Sequence, residues 1–160
     1  MLNLSKENKQ MKSARFITSV FLFLFLFFSY INAQSLTGKI IVHVNGFKNN
    51  NGKARLLIFS TKEKQFFPKD KDKAYGKFVV PIKDNKVLFS FDNLPFGDYA
   101  ISVHHDEDNN GKVNTNFIGI PTESLGASND AKGFFGPPSF EKAKVTLNKE
   151  EISIVINLVN

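Results

Sequence analysis

The chain has 160 residues, a formal net charge of +6, 18 phenylalanines, no cysteine and no tryptophan. The length allows one domain beyond a leader, and the absence of cysteine excludes a disulfide-stapled fold, a thiol nucleophile and a cysteine-anchored lipoprotein. Residues 1–33 hold four of the basic residues and one acid, so the remainder carries only +3, and with no clustered basic face interleaved with exposed aromatics a nucleic-acid partner is not expected.

The first element is a leader. Lys6, Lys9, Lys12 and Arg15 precede a thirteen-residue apolar run, residues 16–28, which ends in Ser29-Tyr30-Ile31-Asn32-Ala33. A charged segment, a short apolar core and a small residue at the cut describe a signal peptide, whereas a bilayer span needs about 20 apolar residues. Cleavage is expected after Ala33, leaving residues 34–160 as one exported domain with no membrane span, placed in the periplasm, on the outer surface or outside the cell. A start at Met11 would leave this signal intact.

Period-two alternation begins at Leu36, with Ile40, Val42 and Val44 on one face, and resumes after Asn49-Asn50-Asn51-Gly52 with Ala54, Leu56 and Ile58 facing the core and Arg55 facing out. This reads as two strands joined by a hairpin-type turn. Leu57 and Phe59 make the second apolar on both faces, which predicts a central strand. Residues 61–77 then turn basic around Phe66-Phe67-Pro68; such a run is ordinarily a solvated loop, whose phenylalanines either tuck beneath the sheet or assist contact with an anionic surface.

Strands are predicted again over residues 78–82 and 86–91, joined by Lys83-Asp84-Asn85, and from Tyr99 to Val103 after the Pro95-Phe96-Gly97 turn, which places the Tyr99 hydroxyl where it can tie that turn down. Residues 142–147 and 152–158 close the chain. Seven short strands without a convincing helix predict an all-β fold, a seven-stranded antiparallel Greek-key β-sandwich with one long loop.

That loop, residues 104–129, holds the densest oxygen chemistry. Asp106, Asp108 and Asn110 stand at alternate positions before Gly111, the spacing by which a tight coil points oxygens into one cavity and turns sharply at its sixth residue. Lys112 would add its carbonyl and Asn114 its side chain. The twelfth position is Phe117 and no helices flank the loop, so this is no EF-hand; Glu123 or Asp130 would have to return from downstream to complete a calcium shell. The expected metal set is Asp106, Asp108, Asn110, Lys112, Asn114 and Glu123, with a Kd of about 10⁻⁴ to 10⁻³ M. A turn of Asn, Asp and Gly can also satisfy itself by bonding its own backbone.

Leu94-Pro95-x-Gly97-x-Tyr99-Ala100, His105-Asp106-x-Asp108-x-Asn110-Gly111-Lys112, Thr115-Asn116, Gly119-x-Pro121-x-Glu123, Gly126-x-Ser128-Asn129 and Gly136-Pro137-Pro138-Ser139-Phe140-Glu141-x-Ala143 together resemble the secreted bacterial family known as domain of unknown function 2141. The resemblance supplies no activity. Its members usually have Asn where Asp108 stands and Asp where Asn114 stands, so one carboxylate has changed place with the total charge kept, as a cation site tolerates. Ala127 stands where an aromatic is commoner. The segment around Tyr99 also resembles transthyretin-like and carboxypeptidase-regulatory-like sandwiches, which act as accessory, spacer or binding modules.

For an enzyme, the residues available are His104, His105, Asp106 and Glu123, with His43 meeting His104 across strands to hold a transition metal for hydrolysis. Nothing in the spacing demands it. No Gly-x-Ser-x-Gly elbow and no phosphate-cradling loop is present, and the C-terminus lacks the Tyr-Arg-Gly-Ser of transthyretin-like hydrolases. The sequence favours a non-enzymatic module, calcium-stabilised, whose partner is an envelope polysaccharide or protein.

Overall fold

Alternating apolar side chains at Ile40, Val42 and Val44 give β1 (Thr37–Asn45) one dry face, and all three are fully buried in the computed structural model, which describes residues 36–134 and 136–159. The leader and its cleavage point lie outside the described residues. The same alternation in β2 (Lys53–Ser60) buries Ala54, Leu56 and Ile58. The other strands are β3 (Gly76–Val80), β4 (Val87–Pro95), β5 (Gly97–Asp106), β6 (Leu125–Ala127), β7 (Val145–Leu147) and β8 (Glu151–Asn157), with a one-turn helix, α1 (Phe140–Ala143), before β7.

The strands form two sheets. One has the order β4-β1-β8; the other runs β3-β2-β5-β6, with β7 also paired to β5. The fold is therefore mostly β, but the expectation of seven antiparallel strands is corrected in two respects. Eight strands are present among the described residues, because β6 is too short to show alternation. The first sheet is mixed, since β1 and β8 run parallel, Ile40 opposite Ile152 through Asn45 opposite Asn157.

The predicted hairpin between β1 and β2 does not form either. Asn49-Asn50-Asn51-Gly52 carries the chain from one sheet to the other, and residues 81–86, with Asp84 and Asn85 at positive φ, do the same between β3 and β4. The reason is burial. Paired side by side, β1 and β2 would each leave an apolar face to be covered; in separate sheets, Ile40, Val42 and Val44 share one core with Ala54, Leu56 and Ile58, and each such side chain gains about 1.5–3 kcal/mol from leaving water.

A second, smaller core lies on the opposite face of the β2–β5 pair. Phe59 and Ala100 are cross-strand partners there, and Phe67 packs edge-on against Phe59 at 5.4 Å and against Phe140 of α1 at 6.2 Å between ring centroids. β2 is thus central and covered on both faces, as its apolar sequence required. The lysine-rich segment docks through Phe67, with Phe66 partly buried beside it. Both cores and every strand pairing fall within the compact unit Leu36–Asn160, which holds in itself the burial that folding requires.

Between β4 and β5 the chain reverses, and the Tyr99 hydroxyl donates to the Pro95 carbonyl at 2.7 Å. Burial raises the Tyr99 pKa to about 12, so the phenol keeps its proton and the bond throughout the neutral range. Tyr99→Phe should lower stability by about 1 kcal/mol, the net value of one such bond, seen as a lower urea midpoint at unchanged m-value.

Candidate functional site

Successive residues of a strand point to opposite faces, and this splits the end of β5. Val103 and His105 face the main core. His104 and Asp106 face the other way, and Arg55 on β2 lies opposite His104 in register, so Arg55, His104 and Asp106 share one surface of the sheet. It is the face that carries Phe59 and Ala100 farther along. One half of it is apolar and covered by Phe67 and Phe140; the other is polar and covered by the loop that follows Asp106.

His105 has no exposed surface. Its Nε2–H donates to the Asn51 carbonyl at 2.9 Å, and Phe47 packs edge-on at 5.1 Å. It anchors the base of the loop through a backbone carbonyl. Gly52 follows immediately. At φ +67, an added Cβ there would stand 1.9 Å from the Asp106 carbonyl oxygen, so only glycine lets the β1–β2 connection cross this close to the end of β5.

Asp106 is also fully buried. Its Oδ2 accepts the Arg55 Nε–H and, at 3.1 Å, the Gly111 N–H. Its Oδ1 is buried and has no hydrogen-bond partner. Gly111, at φ +76, makes the sharp turn its place in the spacing required, and a Cβ on it would come within 3.3 Å of Arg55 Nη2.

Asp108 stays at the surface, where Oδ1 accepts the Asn110 N–H at 3.0 Å and Oδ2 accepts the side-chain amides of Asn110 at 2.8 Å and Asn114 at 2.9 Å. These donors, the Asn114 amide first, hold its carboxyl below the usual aspartate value. Asn110 Oδ1 in turn accepts the Lys112 N–H at 2.7 Å. Glu123 returns from downstream and is 5 % exposed. Its Oε2 accepts from His104 Nε2 at 2.9 Å and the Asn114 N–H at 2.8 Å, its Oε1 from the Glu107 N–H at 3.0 Å. Burial pushes the Glu123 carboxyl up, but the Asn114 N–H, His104 and the Glu107 N–H together outweigh it, and its pKa lies below the ordinary 4.5.

One oxygen each from Asp106, Asp108 and Glu123 lie within 4.8 Å of one another. Asn110 and Asn114 brace Asp108 beside them, and Lys112 joins the loop through its N–H. Asp130, the other downstream acid, is used elsewhere: its oxygens accept the backbone N–H and the side-chain amide of Asn157, both at 2.8 Å. Arg55 was read from the sequence as merely outward-facing. The signal that finds it is parity, because it sits on the face of Asp106, one cross-strand pair away. The histidines do not converge as expected: His43 is exposed on β1, flanked by Leu88 and Val155 in the β4-β1-β8 sheet, whereas His104 belongs to the other sheet.

Removing Arg55 leaves the Asp106 carboxylate buried without a counter-charge. Arg55→Leu should therefore cost about 3 kcal/mol, checked by equilibrium unfolding at neutral pH. A depressed carboxylate supplies stability above its unfolded pKa and loses it as pH falls through the folded value. The share supplied by Glu123 is thus complete above pH 4.5 and disappears below it. Glu123→Gln should lower stability at neutral pH and flatten the acid limb of the stability curve below pH 4.5.

Among the described residues, no helix is long and apolar enough to cross a membrane. No curated protein and no solved structure matches the chain. A family model described as an uncharacterized protein conserved in bacteria matches residues 42–155, a range that takes in every residue of the site, and the chain belongs to that family, DUF2141.

Proposed function

We propose that the protein is an exported, non-enzymatic Greek-key sandwich module whose long loop is ordered by calcium and whose surface binds an envelope or extracellular partner, a polysaccharide or a protein. The observation that carries the calcium reading is the approach of Asp106, Asp108 and Glu123 to within 4.8 Å, with a fully buried Asp106 oxygen left without a partner. Two oxygens bound to one calcium ion at 2.3–2.6 Å can stand at most about 5 Å apart, so the three carboxylates are compatible with a common ion. An orphaned buried carboxylate oxygen is costly, and a cation would relieve it.

Asn110, Asn114 and the Lys112 carbonyl are the neutral oxygens nearest in sequence to complete the shell. Arg55 already neutralises part of the Asp106 charge, which favours the weak end of the calcium range, about 10⁻⁴ to 10⁻³ M. The ion's role in this reading is structural. It would lock the loop over the polar half of the sheet face, as Phe67 and Phe140 lock the apolar half.

Thermal unfolding of residues 34–160 in chelator and then in about 10 mM calcium tests the reading, since an ion bound only by the folded state stabilises it by RT ln(1 + [L]/Kd), here about 1.4–2.7 kcal/mol. The midpoint should rise by about 5–10 °C, and Asp108→Asn, which changes only an exposed carboxylate, should abolish most of the rise. An unchanged midpoint, or an equal rise in the variant, would reduce the loop to a self-bonded turn.

A further inference from the structure

Beyond the carboxylates the loop continues into a narrow finger, residues 113–122, with no charged residue. Thr115 and Pro121 form an antiparallel bridge at its neck. Its backbone is bonded internally: the Asn116 N–H donates to the Ile120 carbonyl at 2.9 Å, the Gly119 N–H to the Asn116 carbonyl at 3.0 Å, and Asn116 Oδ1 accepts the N–H groups of Ile118 at 3.1 Å and Ile120 at 2.9 Å. At the root, the Thr122 N–H donates to the Asn114 carbonyl at 2.9 Å. Its large exposed side chains are apolar, with Phe117 98 %, Ile118 63 % and Ile120 55 % exposed.

We propose that this finger inserts its tip into an anionic lipid surface, a binding surface additional to the polymer or protein contact proposed above and not dependent on calcium. Three observations select a bilayer over a protein pocket or a second copy. The tip is capped by exposed aromatic and branched aliphatic side chains, the kind that enter the headgroup boundary. The amide N–H groups of Asn116, Ile118, Gly119, Ile120 and Thr122 are bonded within the finger, which lowers the cost for this backbone of leaving water for the headgroup boundary. The root carries amines: Lys71 Nζ donates to the Gly111 carbonyl at 3.1 Å, and Lys112, the next residue after Gly111, is exposed. Basic side chains at that level meet anionic headgroups while the tip goes deeper. The acids of the same region are engaged by their own partners, Glu107 by Lys48 and Asn49, Asp106 by Arg55, Glu123 by His104 and Asp108 by the two asparagine amides.

The chain has no tryptophan, so Phe117→Trp places a single reporter at the tip. In residues 34–160, its emission should shift to the blue on adding vesicles of mixed phosphatidylglycerol and phosphatidylcholine and be quenched by bromine on the acyl chains. Phe117→Ser combined with Ile118→Ser should weaken co-sedimentation with these vesicles at least about tenfold at an unchanged thermal midpoint, because both side chains are exposed. The proposal is overturned if lipid leaves the emission unchanged, if the double variant sediments like the parent, or if neutral vesicles bind equally well. It is also overturned if the shift appears without lipid and grows with protein concentration, which would identify a second copy as the occupant. Running the assay in chelator and in calcium keeps the two readings apart. A blue shift in both supports insertion whatever calcium does to the midpoint, and a calcium-raised midpoint without a blue shift overturns insertion alone.

Discussion

Asp106 is taken wholly out of water at the end of β5, and the cost of desolvating a carboxylate obliges the surrounding chain to bring it a cation and donors. Much of the local architecture answers that demand. Arg55 reaches it from β2, Gly111 turns the loop back so that its N–H points at the same oxygen, and Gly52 admits the β1–β2 connection against the Asp106 carbonyl. Once these are in place, the position of everything from Glu107 to Glu123 is narrowly limited, because the loop leaves from Asp106 and is fastened again where Glu123 takes the Glu107 and Asn114 N–H groups.

The surface shared by Phe59 and Asp106 places two different chemistries side by side on one sheet. At one end the excursion through Phe67 and the α1 phenylalanine seals it by apolar contact; at the other, the acidic loop seals it by charge and hydrogen bonds. Buried Ser128 is the hinge of this arrangement. Its hydroxyl accepts the Ile101 N–H at 3.0 Å and donates to the Ala143 carbonyl, tying β5 to the helix turn that brings Phe140 into place. A sheet covered by such unlike materials responds to its surroundings unevenly, the apolar end indifferent to pH and the polar end set by its carboxylates.

The strands were legible where alternation was long. β1, β2 and the run Ile152, Ile154, Ile156 carry their orientation openly, and the Tyr99 corner follows from the turn before it. Pairing was not legible, since a turn such as Asn49-Asn50-Asn51-Gly52 reverses the chain equally well within a sheet or between two, and the choice rests on which apolar faces must meet. β6 is three residues long and offers no period to read. The acidic spacing named Asp106, Asp108 and Asn110 as neighbours; that Glu123 and not Asp130 returns to them depends on His104, whose bond to Glu123 crosses nineteen positions of sequence. Arg55 was hidden because outward-facing ordinarily means solvated, and here a loop lies over it.

The parallel pair of β1 and β8 joins the first and last strands of the unit. Sheet formation that waits on its final strand has a high loop-closure cost and is slow. β1 therefore lacks one of its two neighbours until residues 151–157 have been made. Loss of β8 would act as the removal of a sheet edge rather than the trimming of a tail, exposing the length of β1 to any strand able to replace it.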